Sequence, residues 1–440
     1  MGESNRDICH QSEGPPSSDY LGCFSCTTFN ILAPIYKRLD GKNCESEFRE
    51  LWCGRNESIL DRLLNLKSAI ICLQEFWMGN EELVGMYEKR LGDTGYVTYK
   101  LARTNNRGDG LLTAVHQNHF HVLNYREVLF HDIGDRVAQL LHVELLVHSS
   151  QDQLAKMEKE ALVVNTHLIF PHDSSYCFLR LKQVYKILQY IESYCHEYQL
   201  PPVPIILCGD WNGSKKGNVY KFLRSQGLVS SYDSAHHYTD NGEDSCKWVS
   251  HRNHRGNVCG VDFIWLLNPN KHRKPLKESF IEAVLGNINN LLLQVPTKGV
   301  DPLHLLETDG SYITYSQFSQ AVAELGLTGH TQDGLNNEDI KDLWERIDTD
   351  GDGVIDLSHF ARAWNPCTFL KQIEEDGEEN SSRPKETLSK PISATTIGFN
   401  VNKAMLFPLE VETGVWPENY SLSDHAQLTV EFSPVQLHFS

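Results

Sequence analysis

Six short motifs between residues 30 and 425 hold the side chains best suited to chemistry: Asn30 in Thr-Phe-Asn-Ile-Leu, Glu75 in Leu-Gln-Glu, Asn165 and His167 in Asn-Thr-His-Leu, Asp210 and Asn212 in Gly-Asp-Trp-Asn, Asp262 in Val-Asp-Phe-Ile-Trp, and Asp424 with His425 in Ser-Asp-His. Taken singly, each reads as a turn or cap residue after a strand. As a set they offer what a hard divalent cation requires. Mg²⁺ takes oxygen ligands, typically one or two carboxylates, and keeps water and substrate phosphate for its other positions. Glu75 and Asp424 with the Asn30 amide suit that need. Histidine moves protons near neutral pH, and an adjacent carboxylate fixes its tautomer; His425 with Asp262 suits that pairing.

A second constellation is Asp348-Thr-Asp350-Gly-Asp352-Gly353-Val354-Ile355-Asp356. It matches the EF-hand calcium loop at ligand positions 1, 3, 5 and 9 and at the turn glycine, with Val354 offering its carbonyl and Ile355 placed to pair with another loop. The twelfth position departs, being His359 where a bidentate Glu is usual. Residues 335–347 read as the entering helix, and an exiting helix is expected from Phe360. Upstream, Ile313 and Phe318 repeat the spacing of Ile355 and Phe360, but Leu306, Thr308 and Gly310 leave this partner hand without ligands.

These residues need rigid elements to position them. Short apolar runs at 26–32, 69–73, 110–115, 137–147, 161–168, 205–208 and 261–266 read as buried strands, most ending at or beside an acidic residue, an Asn or a His. Helices lie between them: at 178–194 Phe178, Leu181, Val184, Leu188 and Ile191 form one apolar stripe, and 56–67 is a second helix. Alternating strands and helices imply layered α/β architecture, with chemistry at the strand ends. Strand-like sequence returns at 392–399 and 426–432 after an acidic, mostly helical stretch. The chain thus divides into a flexible tail (1–20), the first part of a catalytic domain (21–295), an inserted EF-hand pair with a degenerate first hand (301–366), an acidic linker (367–390), and the C-terminal part of the catalytic domain (391–440).

The formal charge of −18 argues against loose, sequence-independent nucleic-acid binding, which depends on cations replacing counterions. Most of that charge is local, since residues 301–380 hold 18 Asp and Glu against 4 Lys and Arg and leave a balance of only −4 elsewhere. Arg103 and Arg107, Lys215 and Lys216, and Arg252 and Arg255 lie in loops beside candidate catalytic residues, a positive rim suited to an anionic chain. The 12 cysteines are scattered, which fits a reducing compartment, and Cys23 with Cys26 reads as a pair in or beside the first strand. No run reaches the roughly 18 uninterrupted apolar residues of a membrane span, and Gly2 is followed by Arg6 where myristoylation wants Ser or Thr.

In order and spacing the six motifs resemble the endonuclease/exonuclease/phosphatase superfamily, whose members include deoxyribonuclease I, abasic endonucleases, inositol polyphosphate phosphatases and neutral sphingomyelinases. The deadenylase and nocturnin branch is most similar, through Asn30-Ile-Leu-Ala, the strand start at Gly108-Asp109-Gly110, Arg180-Leu-Lys-Gln-Val, Val219-Tyr-Lys-Phe-Leu, and Lys247-Trp248 ahead of Val261-Asp-Phe-Ile-Trp. With its EF-hand the chain looks like the plant calcium-binding members. The resemblance covers about residues 21–292 and 391–434 and implies a four-layered α/β sandwich of two mixed β-sheets flanked by helices, with an inserted all-α EF-hand unit. It also implies roles: Glu75 holds Mg²⁺ or Mn²⁺ with Asn30 and Asp424; Asp210 and Asn212 orient the attacking water and the phosphate; His167 and His425 contact phosphoryl oxygens, with Asp262 steadying His425. Either Asp210 or His425 takes the water's proton. Trp211 stands where the branch has Phe or Leu, Gly213-Ser-Lys-Lys lacks the usual Pro, and Lys247 precedes Trp248 instead of following it.

The reading is a cytoplasmic or nuclear, Mg²⁺-dependent 3′ exoribonuclease preferring poly(A), with Ca²⁺ on its EF-hand and no protein partner legible. A sphingomyelinase-type or small-nucleotide phosphodiesterase is the rival within the superfamily. A calcium-responsive binding protein with an inactive site is the rival outside it.

Overall fold

The computed structural model describes residues 22–146, 159–171, 176–215, 217–240, 242–243, 247–271, 273–294, 312–328, 334–356 and 395–438. Two six-stranded sheets form its centre. The first runs in the order β15 (Thr395–Phe407), β16 (Gln427–His438), β1 (Phe24–Asn30), β2 (Ile70–Trp77), β4 (Asp109–His116), β3 (Tyr96–Ala102). The second runs β5 (Phe120–Leu129), β6 (Val137–Leu145), β7 (Glu160–His167), β8 (Ile205–Asp210), β12 (Asp262–Leu267), β9 (Val229–Ser230). Both are mixed, because β1 pairs with β2, and β7 with β8, in parallel while the other neighbours are antiparallel.

The alternation of side chains explains why the strands read as unbroken apolar runs. In β1 and β2, Cys26 and Cys72 face the second sheet, and the Cys26 thiol lies 3.4 Å from that of Cys208 in β8. Their neighbours Phe29, Ile71 and Leu73 face outward into a separate core with Ile59, Leu60 and Leu63 of α1 (Arg49–Leu66) and Leu83 and Tyr87 of α2 (Glu81–Gly92). Both faces are buried, so neither needs polar residues. Outside the second sheet lie α3 (Tyr176–Glu197), α4 (Asn218–Ser225) and α6 (Leu276–Gln294), with the short α5 (Ser231–Ala235) beside β12. The layers are therefore helix, sheet, sheet, helix.

The same parity delivers the polar residues to one place. Asn30, His167 and Asp210 close β1, β7 and β8 and share the inward-facing register of Cys26, Asn165 and Cys208. Antiparallel β12 begins at that end, with Asp262 directly opposite Asp210, and β16 begins just after Asp424 and His425. Two short strands, β10 (His251–Arg252) and β11 (Val258–Cys259), form a ribbon there, and His251 bridges to His425.

Beyond α6, β13 (Tyr312–Thr314) leads into α7 (Tyr315–Glu324), then α8 (Asn337–Ile347) and β14 (Val354–Asp356). β13 and β14 pair with Ile313 opposite Ile355, so the described unit is not all-α as expected but holds a short sheet between its helices. It packs on α6 through Lys277–Asp342 at 2.7 Å and Arg346–Glu282 at 2.9 Å. The expected tail, linker and exiting helix, with Lys216 and His359, lie outside the described residues. The edge strands β3 and β5 were not expected; in β5 the alternation is weak, with the apolar Leu123 and Leu129 exposed alongside His121 and Glu127.

Gly209 shows how close the packing is. At φ +149° its position admits few side chains, and a Cβ there would lie 2.0 Å from the Thr166 carbonyl oxygen on β7. Gly209→Ala is expected to destabilise the protein by about 3 kcal/mol or more, because the parallel ladder must part to admit the methyl group. Urea unfolding checks this, and a loss near zero would mean that β7 and β8 separate freely.

Candidate active site

Glu75 stands where β2 is irregular. The β2–β4 register shifts between Gln74 and Phe76, leaving Glu75 as the bulged residue at φ +53°. A bulge turns a side chain away from the regular pleat, and here it brings the Glu75 carboxylate to Asn30. Asn30 Nδ2 lies 3.3 Å from Glu75 Oε1, 3.0 Å from Asp210 Oδ2 and 3.4 Å from His425 Nε2. The Asn30 oxygen accepts from the Leu32 N–H at 3.1 Å, so the group turned toward the carboxylates is a donor. In this arrangement the Asn30 amide nitrogen lies between Glu75 and Asp210 and links the two carboxylates. Burial, with Asp424 and Asp109 nearby, pushes Glu75 up to about 7. That uncompensated charge, and the hard oxygen donors of Glu75 and Asp424, fit a divalent cation.

The catalytic-type residues meet at Asp210. Its Oδ2 also lies 3.2 Å from His167 Nε2 and 3.7 Å from His425 Nε2, and its Oδ1 accepts from the Asn212 N–H at 2.9 Å. Asn212, at φ +47°, donates its amide to the Leu168 carbonyl at 2.9 Å. Asp262, fully buried, binds His425 Nδ1 at 2.9 Å, and its own backbone N–H is held by Ser250 Oγ at 3.0 Å.

The two histidines differ in charge. Burial alone would lower His425, but Asp262 and Asp210 outweigh it and hold the imidazole well above its ordinary range. His167 is held well below that range, by burial first and then by the cationic Arg136 and Arg103. This push toward the neutral form is accompanied by the approach of its Nε2 to Asp210 Oδ2 at 3.2 Å. Asp424 is kept low despite burial by His251 and His425.

Asn165 does not belong to this site. It is completely buried between the sheets, where Gln74 Nε2 donates to its oxygen at 2.8 Å and its amide donates toward Leu73 O, Leu112 O and Thr113 Oγ1. Its role is to fasten sheet to sheet. Three of the expected rim cations are also committed elsewhere: Arg103 to Asp109 at 3.0 Å, Arg107 to Asp135 at 2.6 Å and Lys215 to Asp233 at 2.8 Å. Arg252 and Arg255 stay exposed and line the groove, while Lys216 falls outside the described residues.

The groove consists of two cavities of about 550 and 740 Å³ that share Phe170, His251, Asn253 and His254. Asn212 lines the first and Asp424 the second. Sequence reasoning missed His251, whose ring stacks on His425 at 4.2 Å, and Ser423, which donates to the Asn30 carbonyl at 2.7 Å. It also missed the buried Arg136, which faces Asp109, Glu75 and Asp210. Only Ser423 carried a local signal, standing next to Asp424. In the acidic unit, Asp348, Asp350 and Asp352 converge within 4.8 Å of one another, and Gly353 N–H donates to Asp348 at 3.1 Å.

No protein-family profile matches the chain. It is 54% identical over 418 residues to an Arabidopsis thaliana protein named as an uncharacterized calcium-binding protein, a match covering 94% of this chain and 85% of that one. It is 28% identical to carbon catabolite repressor protein 4 homolog 3 of the same plant, over 49% of this chain and 46% of that protein. To the Debaryomyces hansenii CCR4-Not complex 3′-5′-exoribonuclease subunit Ccr4 it is 21% identical, over 59% of this chain and 36% of that protein. The chain belongs to the endonuclease/exonuclease/phosphatase superfamily, in its deadenylase-like branch and with plant calcium-binding relatives. It spans less than half the length of these last two relatives.

The site's electrostatics can be checked without any reaction. At pH 7.5 the His425 resonance is expected to be that of a doubly protonated imidazole and the His167 resonance that of a neutral one. Long-range ¹H–¹⁵N spectra, assigned with His425→Gln and His167→Gln, read this directly. A neutral His425 at that pH would show that the three surrounding carboxylates do not govern the pocket.

Proposed function

We propose that the protein is a divalent-metal-dependent phosphodiesterase that shortens RNA from its 3′ end with a preference for poly(A). The observation that carries the reading is the convergence of Glu75, Asp210, Asp262, Asp424, His167 and His425 at one end of the sandwich, beside a groove that Asn212, His251 and Asp424 line. Glu75 and Asp424 would hold Mg²⁺ or Mn²⁺. The bound ion supplies charge neutralisation at the phosphoryl oxygens.

The remaining work falls to the chain. His425, kept protonated by Asp262, is spent as a base and serves as a donor to a phosphoryl oxygen. Asp210 is then the group left to take the proton of the attacking water, with Asn30 and His167 fixing its orientation. The sequence alone left both candidates open; the charge state of His425 favours Asp210. A strand-like substrate is supported by the groove extending to both sides of His251, with Trp416 and Tyr420 in one wall as surfaces on which bases can stack. Among the described residues no helix is long and apolar enough to cross a membrane.

Oligo(A) is expected to be shortened from its 3′ end in Mg²⁺ and left intact in EDTA. Glu75→Gln and Asp210→Asn should each lower kcat by about 10³-fold or more, roughly 4 kcal/mol of barrier, while remaining folded. Turnover near the wild-type rate by either variant, or rapid cleavage of sphingomyelin beside intact oligo(A), would reject the assignment.

The acidic unit is read as an EF-hand that takes Ca²⁺. Its support is the approach of Asp348, Asp350 and Asp352 and the pairing of Ile355 with Ile313. With His359 unable to clamp calcium through two oxygens, affinity should fall at the weak end of the range, on the order of 10⁻⁵ to 10⁻³ M. Calorimetry on wild type and on Asp348→Ala with Asp350→Ala tests this; submicromolar binding, or binding that survives the double substitution, would contradict it.

A further inference from the structure

The cavity of about 550 Å³ beside Asn212 holds a charge that nothing in the proposed reaction uses. Arg180 of α3 lines it and is 94% buried, with 6% of its surface exposed. One of its terminal nitrogens meets only the Cys177 thiol, at 3.2 Å. Its Nε and other terminal nitrogen have no hydrogen-bond partner among the described residues. Asp210 acts on it electrostatically, but no carboxylate forms an ion pair with it among the described residues. A buried guanidinium left in that state is costly, because its five N–H donors find neither water nor an anion.

A second feature of this cavity suits an anion. α4 starts there, and its N-cap, Gly217, makes no side-chain cap bond, so no cap side chain occupies the first N–H groups of the helix. Gly213 lies beside Arg180, where an added Cβ would stand 3.8 Å from Nε, in ordinary contact. Arg255 and His254 close the rim. In a chain of net charge −18, no Asp or Glu lines this cavity among the described residues.

We propose that this cavity is a second phosphate subsite, in which Arg180 and the N-terminus of α4 hold the phosphate next to the scissile one. The assignment rests on the phosphodiesterase reading for its purpose, since Asn212 is shared between the cavity and the Asp210 centre and a phosphate held here is continuous with one held there. Its consequence is selectivity for substrates with at least two linked phosphates, a nucleotide chain above a single phosphodiester. Arg rather than Lys suits the task because its planar fork can meet two phosphate oxygens at once.

Calorimetric titration of the full chain in Mg²⁺ with inorganic phosphate tests the subsite. Binding is expected to weaken at least about tenfold in Arg180→Gln and to survive in Glu75→Gln, which disturbs the catalytic centre alone. Ser214→Asp, which places a carboxylate at the exposed mouth without touching the core, should weaken it similarly and guards against misfolding of the Arg180 variant. Absence of phosphate binding by wild type, or loss in Glu75→Gln with retention in Arg180→Gln, would overturn the proposal. In the kinetic arm, the ratio of kcat/KM for oligo(A) to that for bis(4-nitrophenyl) phosphate should fall at least about tenfold in Arg180→Gln. An equal fall on both substrates would also overturn it. Arg180-dependent phosphate binding in a protein inactive on every phosphodiester would strike the phosphodiesterase reading and uphold the subsite.

Discussion

Asp210 and Asp262 face each other across the β8–β12 ladder, both essentially without solvent exposure. Two adjacent buried carboxylates repel, and each is costly unless something cationic or protic meets it. Much of the surrounding architecture answers that constraint. His425 is driven to its cationic form and bonds Asp262, His167 and the Asn30 amide cover Asp210, and Ser250 fixes the strand on which Asp262 sits. The ribbon of β10 and β11 completes the arrangement by stacking His251 on His425. Glu75 remains with less compensation, its carboxyl pushed up to about 7 by burial and by Asp424 and Asp109.

That distribution of charge separates two kinds of polar residue that look alike in the sequence. Asn30 and Asn165 each stand near the end of a buried strand and face inward. Two residues of extra length along the strand decide the difference: Asn30 closes β1 and reaches the carboxylates, whereas Asn165 stops one inward-facing position short of the end of β7. There it meets Gln74, Thr113, Gln139 and strand carbonyls and becomes part of the seal between the sheets. Burial is similar, yet chemistry is available only at the rim.

Cations sort themselves by the same logic. Arg103, Arg107 and Lys215 find carboxylates of their own and are neutralised in place, so a loop position near a catalytic residue says little about what an Arg or Lys faces. Arg180 is different because it lines a cavity in which, among the described residues, no carboxylate takes part. The acidic unit sits on α6 and, through Lys182 to the Gly334 carbonyl at 3.0 Å, on the same helix α3. Calcium on that unit would therefore act on the outer helical layer before it reached any catalytic strand.

The central buried strands, the α3 stripe and the ordered motifs were legible in the chain because they follow from local rules: an apolar period, and a residue type whose chemistry does not depend on its neighbours. The edge strands were not, since β3 and β5 are half exposed and their alternation is weak. By itself the sequence determined which carboxylates and histidines exist, the family they resemble, and the acidic calcium-type loop. Only the tertiary structure decided which of them meet. Asn165 left the site, Asn30 became a donor, and His251, Arg136 and Arg180 entered the site and its groove, because burial, partner geometry and charge state depend on residues up to 395 positions apart in the chain.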